Sequence, residues 1–262
     1  MKHYFFKYQG AGNDFILFDD RQLSFPDQDK ALIKKLCDRR FGIGSDGIVL
    51  IKKSETADVW IDFLNPDGSR SFCGNGSRCG VRFAKLLGMI SEDYCTFQAV
   101  DGNHEAWLTE KNVRISMNDV AGIEEHAEGQ FLFTGSPHLI IKKESGLDSL
   151  DVKKEGAAIR YNDQYKKEGV NVNYVHAIKD DFINIRTYER GVEDETLACG
   201  TGVTAAALAH AFDKKMSEGK ITVSALGGLL SVSFMRAGQG FKYVELEGPA
   251  EEVFCGEMNL YD

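Results

Sequence analysis

One short turn occurs twice in this sequence, each time in front of a helix-like run. Residues 69–88 read SRSFCGNGSRCGVRFAKLLG, and residues 195–212 read ETLACGTGVTAAALAHAF. In both segments a cysteine precedes Gly-x-Gly, and the two cysteines, Cys73 and Cys199, lie 126 residues apart in a chain of 262. Because each half also contains a series of strand-like segments, this spacing predicts two similar halves with a boundary near residues 118–121.

The rest of the chain is rich in strand signals. Runs of Val, Ile, Phe and Tyr are separated by Gly, Asn and Asp, which is typical of short strands joined by turns. Helical periodicity occurs at residues 27–41, more weakly near 152–162, and after the two cysteines. Asp27 and Asp29 near its start and Gly42 beyond its end favour a capped helix in the first of these. The predicted strands are 3–9, 14–19, 47–52, 58–65, 94–100, 104–109, 112–117, 138–143, 170–178, 182–189, 220–225, 229–235 and 242–248.

The composition excludes several classes of protein. Hydrophobic residues make up 43% and charged residues 27%, as in ordinary globular proteins. The net charge of −9 disfavours nucleic acid or a membrane surface as a partner, because both are bound by clustered Lys and Arg. No segment approaches the roughly 20 apolar residues of a membrane span, and the N-terminal residues do not read as a signal peptide. We therefore expect a cytoplasmic protein.

The six cysteines point away from disulfides and metals. In the cytoplasm they are expected to remain thiols. Their positions show no pair with the C-x₂₋₄-C spacing of zinc ligands, so no metal site is predicted.

A second glycine pattern, FGIGSDG at residues 41–47, formally matches a dinucleotide-binding fingerprint. That fingerprint requires a strand before it and a helix after it, so that the phosphate meets a helix N-terminus. In this sequence a helix precedes the pattern and a strand follows it. We therefore reject nucleotide binding by these residues.

The two cysteine turns do have the order that brings an anion to a helix N-terminus. The first N–H groups of a helix have no partners within it, and the helix dipole adds partial positive charge. Such a terminus binds a carboxylate or phosphate and lowers the pKa of a neighbouring thiol. The alternative is a small buried side chain, which we adopt for Cys37, Cys95 and Cys255. Two copies in matching positions favour chemistry for Cys73 and Cys199.

Two such thiols suggest acid–base catalysis at a carbon next to a carboxylate. If both turns face one cleft, a thiolate on one face removes the α-proton, and a thiol on the other face returns a proton with inversion. The helix termini would stabilise the charge that develops on the carboxylate. The residues alone therefore predict a racemase or epimerase of an amino acid that works without pyridoxal phosphate.

Seven motifs, in order from residue 8 to about residue 204, resemble those of the diaminopimelate epimerase family. They are GAGNDF, FGIGSDG, FLNPDGS, FCGNGSRC, VNV, YERG and ETLACGTG. The resemblance implies an α/β (α+β) fold of two pseudo-symmetric domains, each a curved, mostly antiparallel sheet around a central helix. The domains would be residues 1–118 with Cys73 and residues 119–262 with Cys199. The last strand, near 252–262, would join the first domain.

The same resemblance implies interconversion of LL- and meso-2,6-diaminopimelate, in lysine and peptidoglycan precursor synthesis, with no cofactor and no metal. The partner would be this small diamino-dicarboxylate, and the family leads us to expect a homodimer. Cys73 and Cys199 would be the catalytic thiols, and His138 and Glu189 would tune them. The implied substrate-binding residues are Asn13, Asn65, Gly74, Asn75, Asn171, Glu189, Arg190, Gly200 and Thr201.

Four of these residues also have a structural interpretation. Asn13 and Asn65 stand next to Asp or Pro-Asp-Gly, where asparagine commonly forms turns. Arg190 precedes Gly191 and could belong to a surface turn. His138 could simply pack or form a hydrogen bond at the strand that it begins.

The sequence departs from the family pattern in several places. Gly-Ser-Pro-His at residues 135–138 stands where the family usually has Gly-Asn-Pro-His, so Ser136 offers a hydroxyl in place of an amide. Gly47 occupies a position that is glutamine in some members. The GVEDET loop is one residue longer, and the spacing from Asn65 to Cys73 is one residue shorter. These departures concern the distal end of the substrate and leave the thiols in place.

Three other functions fit less well. A proline or hydroxyproline racemase-like enzyme also uses two cysteines, but its substrate would give Arg190 no distal carboxylate to bind. Dithiol redox catalysis usually requires C-x-x-C, whereas Cys73 and Cys79 are six positions apart and face different sides of a helix. A non-catalytic anion-binding module has no need of cysteine at both turns.

Overall fold

The computed structural model describes residues 2–261 and contains two compact units. The first comprises Met1–Ile115 and Gly248–Asp262, and the second comprises Ser116–Glu247. That residues 1–118 and 119–262 act as two epimerase halves remains a prediction. Within the described residues, no helix is long and apolar enough to cross a membrane.

The chain folds into 17 strands and four helices across the described residues. The helices are α1 (Lys30–Cys37), α2 (Gly74–Leu86), α3 (Val152–Arg160) and α4 (Gly200–Asp213). The strands are β1 (Lys2–Gly10), β2 (Asn13–Asp19), β3 (Gly47–Lys52), β4 (Val59–Leu64), β5 (Tyr94–Ala99), β6 (Gly102–Leu108), β7 (Asn112–Ser116), β8 (Glu124–Glu125), β9 (Gln130–Phe133), β10 (Pro137–Lys142), β11 (Asn171–Lys179), β12 (Phe182–Glu189), β13 (Asp194–Thr196), β14 (Glu218–Ala225), β15 (Gly228–Ala237), β16 (Gly240–Pro249) and β17 (Glu251–Asn259).

The two units repeat one series of strand pairings. From β17 through β1 to β7, successive pairings are antiparallel, antiparallel, parallel, antiparallel, parallel, antiparallel and antiparallel. From β8 through β12 and on through β14 to β16, the same series occurs. The predicted fold class, two similar units of mostly antiparallel sheet, is therefore confirmed.

Each helix connects one of the parallel pairs. Parallel neighbours need a crossover connection, which is usually a helix. Helix α1 connects β2 to β3, and α2 connects β4 to β5. In the second unit α3 connects β10 to β11, and α4 lies between β12 and β14. The two cysteine-headed helices, α2 and α4, thus occupy the same place in the repeat.

Both of these helices are enclosed by their own sheet. Helix α2 packs against β1 to β4, and α4 packs against β9 to β12, β14 and β15. Residues 200–211 of α4 are all buried, which agrees with a helix that is apolar on every side. Gly80 of α2 allows a close approach, because a Cβ atom there would lie 2.8 Å from Ile61 Cγ2.

The predicted helices 27–41 and 152–162 were too long at their ends. Helix α1 begins after Asp29, whose side chain accepts a hydrogen bond from Leu32 N, and it ends at Asp38. The Asp38 carboxylate accepts from Arg40 N and Phe41 N, and so turns the chain out of the helix. Helix α3 has the same kind of N-cap at Asp151.

Three strands were missed. Strand β8 has only two residues and β13 only three. Strand β9 follows a polar segment and shows no extended alternation of apolar residues. All three are held by hydrogen bonds to neighbouring strands, which sequence periodicity does not report.

Candidate functional site

Cys73 occupies the N-cap of α2. Its backbone is extended, at φ −128° and ψ 105°, and its Sγ atom accepts a hydrogen bond from Gly76 N at 3.3 Å. A thiol therefore stands where Ser, Thr or Asp usually caps a helix. The thiol is partly exposed, and Gly74 and Asn75 form the first residues of the helix. The sulfur atom of Cys73 therefore lies at the end of α2 where the first backbone N–H groups have no partners within the helix.

Two predicted binding residues meet beside this helix terminus. Asn75 Nδ2 donates a hydrogen bond to Asn13 Oδ1 at 3.2 Å, and Asn13 Nδ2 donates to Asp46 Oδ2 at 2.5 Å. Arg39 donates to Asp46 at 2.7 Å and also binds Asp14. Because the carboxylate of Asp46 only accepts, it orients the amide of Asn13 and, through it, that of Asn75.

The charged groups of this cluster shift one another's pKa values. Burial opposes ionisation of Asp14, but hydrogen bonds from Arg39 and Lys7 outweigh it and lower the pKa of Asp14 to about 2. Burial and the neighbouring Asp14 charge raise the pKa of Asp46. Asp46 and Arg39 were missed by the sequence reasoning. The signal for Asp46 was the FGIGSDG motif, in which Asp46 holds Asn13 of the GAGNDF motif.

Asn65 closes the turn that leads to Cys73. Its Nδ2 atom lies 3.1 Å from Ser69 O and 3.0 Å from Ser71 Oγ, and its backbone N–H donates to Ser69 O at 2.8 Å. The structural interpretation of Asn65 as a turn residue is therefore correct. A role in binding substrate remains a prediction.

Cys199 occupies the N-cap of α4, with a similar backbone at φ −111° and ψ 112°. Its Sγ atom lies 3.4 Å from the Oγ1 atom of Thr201, and the thiol is buried. The sulfur atoms at the two matching helix N-caps therefore have different hydrogen-bond partners. Cys73 accepts from a backbone N–H, whereas Cys199 lies against a hydroxyl.

Behind Thr201 lies a fully buried imidazole. His138 Nε2 lies 2.9 Å from Thr201 Oγ1 and 2.9 Å from Ser136 Oγ, and the two hydroxyls are 3.1 Å apart. His138 therefore reaches Cys199 through the Thr201 hydroxyl. The predicted thiol-tuning role of His138 remains a prediction, and this contact is the route that it would use.

The tautomer of His138 follows from its other neighbour. Asn173 Oδ1 accepts from Thr187 Oγ1 at 3.0 Å, so the Nδ2 atom of Asn173 faces His138 Nδ1 at 3.1 Å and donates to it. His138 Nδ1 is thus the acceptor, and the ring proton lies on Nε2, which donates toward Thr201. Asn173 and Thr187 were missed by the sequence reasoning.

His138 is neutral in this environment. Burial, followed by the positive charge of Arg190, lowers its pKa to about 3. A neutral imidazole with a fixed tautomer is a hydrogen-bond donor of constant geometry.

The remaining predicted residues of the second unit lie close to this network. Asn171 Nδ2 donates to Ser136 Oγ at 3.1 Å, and Asn171 Oδ1 accepts from Arg190 N at 2.8 Å. The Arg190 guanidinium donates to Glu168 O at 2.8 Å. Glu189 Oε2 accepts from Thr196 Oγ1 at 2.9 Å.

Two departures from the family pattern have clear structural consequences. Ser136 joins the internal network of His138, Asn171 and Thr201, instead of standing apart as a free group. Gly47 lies against Phe63, and a Cβ atom at this position would come within 2.3 Å of Phe63 Cε2. A glutamine at position 47 therefore requires Phe63 to move.

The structure thus forms two clusters of predicted residues, each at one cysteine-headed helix. Within residues 2–261, no group of three or more His, Cys, Asp or Glu side chains could hold a metal ion. The first cluster contains Asn13, Cys73, Gly74 and Asn75. The second contains His138, Asn171, Arg190, Cys199, Gly200 and Thr201.

Comparison with known sequences gives consistent matches along most of the chain. The model of a family described as Diaminopimelate epimerase matches residues 5–122 and 131–253. A diaminopimelate epimerase from Flavobacterium psychrophilum is 48% identical over 251 residues, which cover 95% of this chain and 97% of that protein. A diaminopimelate epimerase from Chlorobaculum tepidum is 40% identical over 260 residues, covering 96% and 99%.

Solved structures show the same fold at much lower identity. A Bacillus anthracis phenazine biosynthesis protein of the PhzF family has a TM-score of 0.75 at 14% identity, with 99% of each chain covered. A probable proline racemase from Agrobacterium radiobacter K84 has a TM-score of 0.71 at 13% identity, with 98% of this chain and 93% of that chain covered. At these identities the similarity is one of fold.

Proposed function

Because the chain belongs to the diaminopimelate epimerase family, it is an isomerase that epimerises diaminopimelate, and we propose that Cys73 and Cys199 are its acid–base groups. The observation that carries this proposal is the repeat itself. The two thiols cap α2 and α4, which hold the same place in the two series of strand pairings. A cysteine at both equivalent helix N-caps is what a reaction with one acid and one base requires.

The reaction balances without a cofactor. The thiolate of one cysteine takes the α-proton of LL-diaminopimelate, and the electron pair of the broken C–H bond is delocalised toward the carboxylate. The thiol of the other cysteine then donates a proton to the opposite face of the carbon, which gives the meso isomer. The two cysteines end with exchanged protonation states, so the enzyme is ready for the reverse reaction.

The helix termini supply the electrostatic stabilisation. We propose that N–H groups of Gly74 and Asn75, with those of Gly200 and Thr201, bind the reacting carboxylate. Preorganised donors of this kind stabilise charge that develops in the transition state. Orphan N–H groups at helix N-termini have the direction and partial charge for this role.

Other side chains would hold the rest of the substrate. The proposed set is Asn13, Asn65, Asn171, Glu189 and Arg190. A guanidinium suits the distal carboxylate because it can donate two parallel hydrogen bonds. Asn13 and Asn171 are fixed by Asp46 and by Arg190 N respectively, so their amides have one orientation each. Side chains that are already oriented lose less entropy when substrate binds.

We also propose a cytoplasmic homodimer that serves lysine and peptidoglycan precursor synthesis. Within the described residues the six cysteines form no disulfide, which is compatible with the reducing compartment that we propose. Strand β17 pairs with β1 and carries Val253 and Phe254 with about half of their surfaces exposed, at 57% and 47%. Exposed apolar residues on one strand are suited to an interface between copies of the chain.

The test of the two-thiol mechanism is α-proton exchange. LL-diaminopimelate would be incubated in D₂O under reducing conditions with wild type, Cys73→Ala and Cys199→Ala, and followed by NMR. Formation of deuterated meso isomer by the wild type and its loss in both variants would support the mechanism. Cys255→Ala is the matched control, because this thiol lies on β17 and is exposed, so the expectation that it is buried was wrong. Full epimerisation by either of the first two variants would contradict the proposal.

A further inference from the structure

Helix α2 contains a fully buried arginine that has no role in the proposed proton transfer. Arg78 follows Cys73 by five residues and has 0% of its surface exposed. Its Nε atom lies 3.4 Å from Pro249 O, a long hydrogen bond. Its Nη1 and Nη2 atoms have no hydrogen-bond partner among the residues that the structure describes. The side chain packs over Gly10, where a Cβ atom would lie 3.3 Å from Nη2.

A cation in this position is costly unless an anion lies nearby. Removing a guanidinium from water is unfavourable by several kcal/mol, even after the protein relaxes. No carboxylate pairs with Arg78 in the described part of the chain. Charged groups on the strands that pack against α2 have other partners. Lys7 pairs with Asp14 at 2.6 Å, and Asp62 pairs with Lys52 at 2.8 Å. The Tyr8 hydroxyl contacts Glu252.

Of the titratable groups near Arg78, two are neutral and only Cys73 is able to carry a balancing negative charge. Burial raises the pKa of Cys79 to about 12, so this neighbouring thiol is neutral. Burial and Glu252 raise the pKa of Tyr8, which is neutral as well. Burial lowers the pKa of Arg78 to about 10, and the negative charges that Cys79 and Cys73 can carry oppose this shift. Arg78 is therefore a cation at neutral pH, and Cys73 is the thiol able to balance it.

Helix geometry allows an electrostatic interaction between the two residues, although not along one face of the helix. Five residues correspond to a rise of about 7.5 Å and to side chains that leave the helix about 140° apart. Long side chains on a helix lean toward its N-terminus, and Cys73 is the N-cap of this helix. An attraction between the guanidinium and the sulfur acts through a buried region, where charges are weakly screened.

We propose that the buried guanidinium of Arg78 favours the thiolate form of Cys73 and so prepares this cysteine to act as the base. Arg78 is in this sense a positioning residue, since it acts through Cys73 and does not need to touch substrate. The role of Cys73 as a base rests on the proposed function. The electrostatic interaction between Arg78 and Cys73 does not, because it exists in the free enzyme without substrate.

The test measures the reactivity of Cys73 without substrate. The full chain would be alkylated with iodoacetamide over a range of pH, and the rate at Cys73 followed by peptide mass spectrometry. At pH 7 we expect alkylation of Cys73 in Arg78→Met to be about tenfold slower than in wild type, which corresponds to a midpoint about one pH unit higher. Arg78→Lys, which keeps the charge, should lie between the two.

Arg82→Met is the matched control on the same helix. Arg82 donates to the backbone oxygens of Thr109 and Asn112. We therefore expect Arg82→Met to leave the pH profile of Cys73 alkylation unchanged. Thermal unfolding of each variant separates charge from structure. Because Arg78 makes so few hydrogen bonds, Arg78→Met should fold with a melting temperature no lower than that of wild type.

Equal alkylation profiles in wild type and folded Arg78→Met would overturn the proposal. If Arg78→Met failed to fold, a wild-type profile in Arg78→Gln, which also lacks the charge, would overturn it equally. Failure of the wild type to epimerise diaminopimelate would refute the proposed function instead. It would leave the alkylation result intact.

Discussion

The Oγ1 atom of Thr201 lies 3.4 Å from the Sγ atom of Cys199. The same hydroxyl lies 2.9 Å from His138 Nε2, which carries the ring proton. When Nε2–H donates to this hydroxyl oxygen, and not to Ser136 Oγ at the same distance of 2.9 Å, the hydroxyl proton is able to turn toward the sulfur. The second thiol thus has a hydrogen-bond donor that is itself oriented by a buried imidazole.

Replacement of Thr201 by valine removes this donor and keeps the shape of the side chain. Hydrogen bonds to charged groups contribute about 1.5–3 kcal/mol. We therefore expect kcat/KM for diaminopimelate to fall by about 10- to 100-fold. Thr204→Val is the control, because the Thr204 hydroxyl donates to Gly200 O within the same helix. Equal kcat/KM values for Thr201→Val and Thr204→Val would contradict this role of the Thr201 hydroxyl.

Asp46→Asn tests the orientation of Asn13. The carboxylate can only accept from Asn13, whereas an amide at position 46 can also donate and permits Asn13 to turn over. We expect KM to rise by about tenfold or less, equivalent to one neutral hydrogen bond of 0.5–1.5 kcal/mol, with a smaller change in kcat. Asp19→Asn, which disrupts the exposed pair with Arg21, should change neither constant. A loss of kcat alone would argue against a role in binding.

The buried His138 predicts a dependence of stability on pH. Its pKa is about 3 in the folded chain and near 6.5 when exposed. The unfolded chain therefore binds the additional proton between these values, so stability is lost as pH falls below about 6.5. In the middle of this window, the free energy of unfolding should fall by about 1.4 kcal/mol per pH unit through this group. Denaturant unfolding at pH 5 and pH 6 would give the free energy of unfolding of wild type and of His138→Gln. An equal change between the two pH values in both proteins would contradict the prediction.

Strand β17 offers a test of the proposed dimer. Val253→Lys places a charge on its exposed surface and should convert a dimer into monomers, as measured by light scattering coupled to size-exclusion chromatography. Val100→Lys is the matched control, since Val100 lies in the β5–β6 turn and is exposed to a similar extent, 55% against 57%. A monomeric wild type, or a dimeric Val253→Lys variant, would contradict the proposal that β17 forms a dimer interface.

The sequence alone was most informative where a signal is local. The N-cap at Asp29 and the two Cys-Gly-x-Gly turns involve residues within a few positions of one another. Their helices were predicted in the right places for this reason. The repeat of the cysteine turn also indicated two similar units, and the order of motifs indicated the family.

Only the tertiary structure decided which side chains meet. Asp46 contacts Asn13 from 33 residues away, and Asn173 contacts His138 from 35 residues away. Such contacts depend on which strands pair and in what register, and the local pattern of residues does not encode the partner. The burial of Arg78 without a carboxylate likewise arises from the sheet around α2. The sequence by itself therefore determined the two thiols and their helices, whereas the fold decided the hydrogen bonds and charges around them, because these depend on residues distant along the chain.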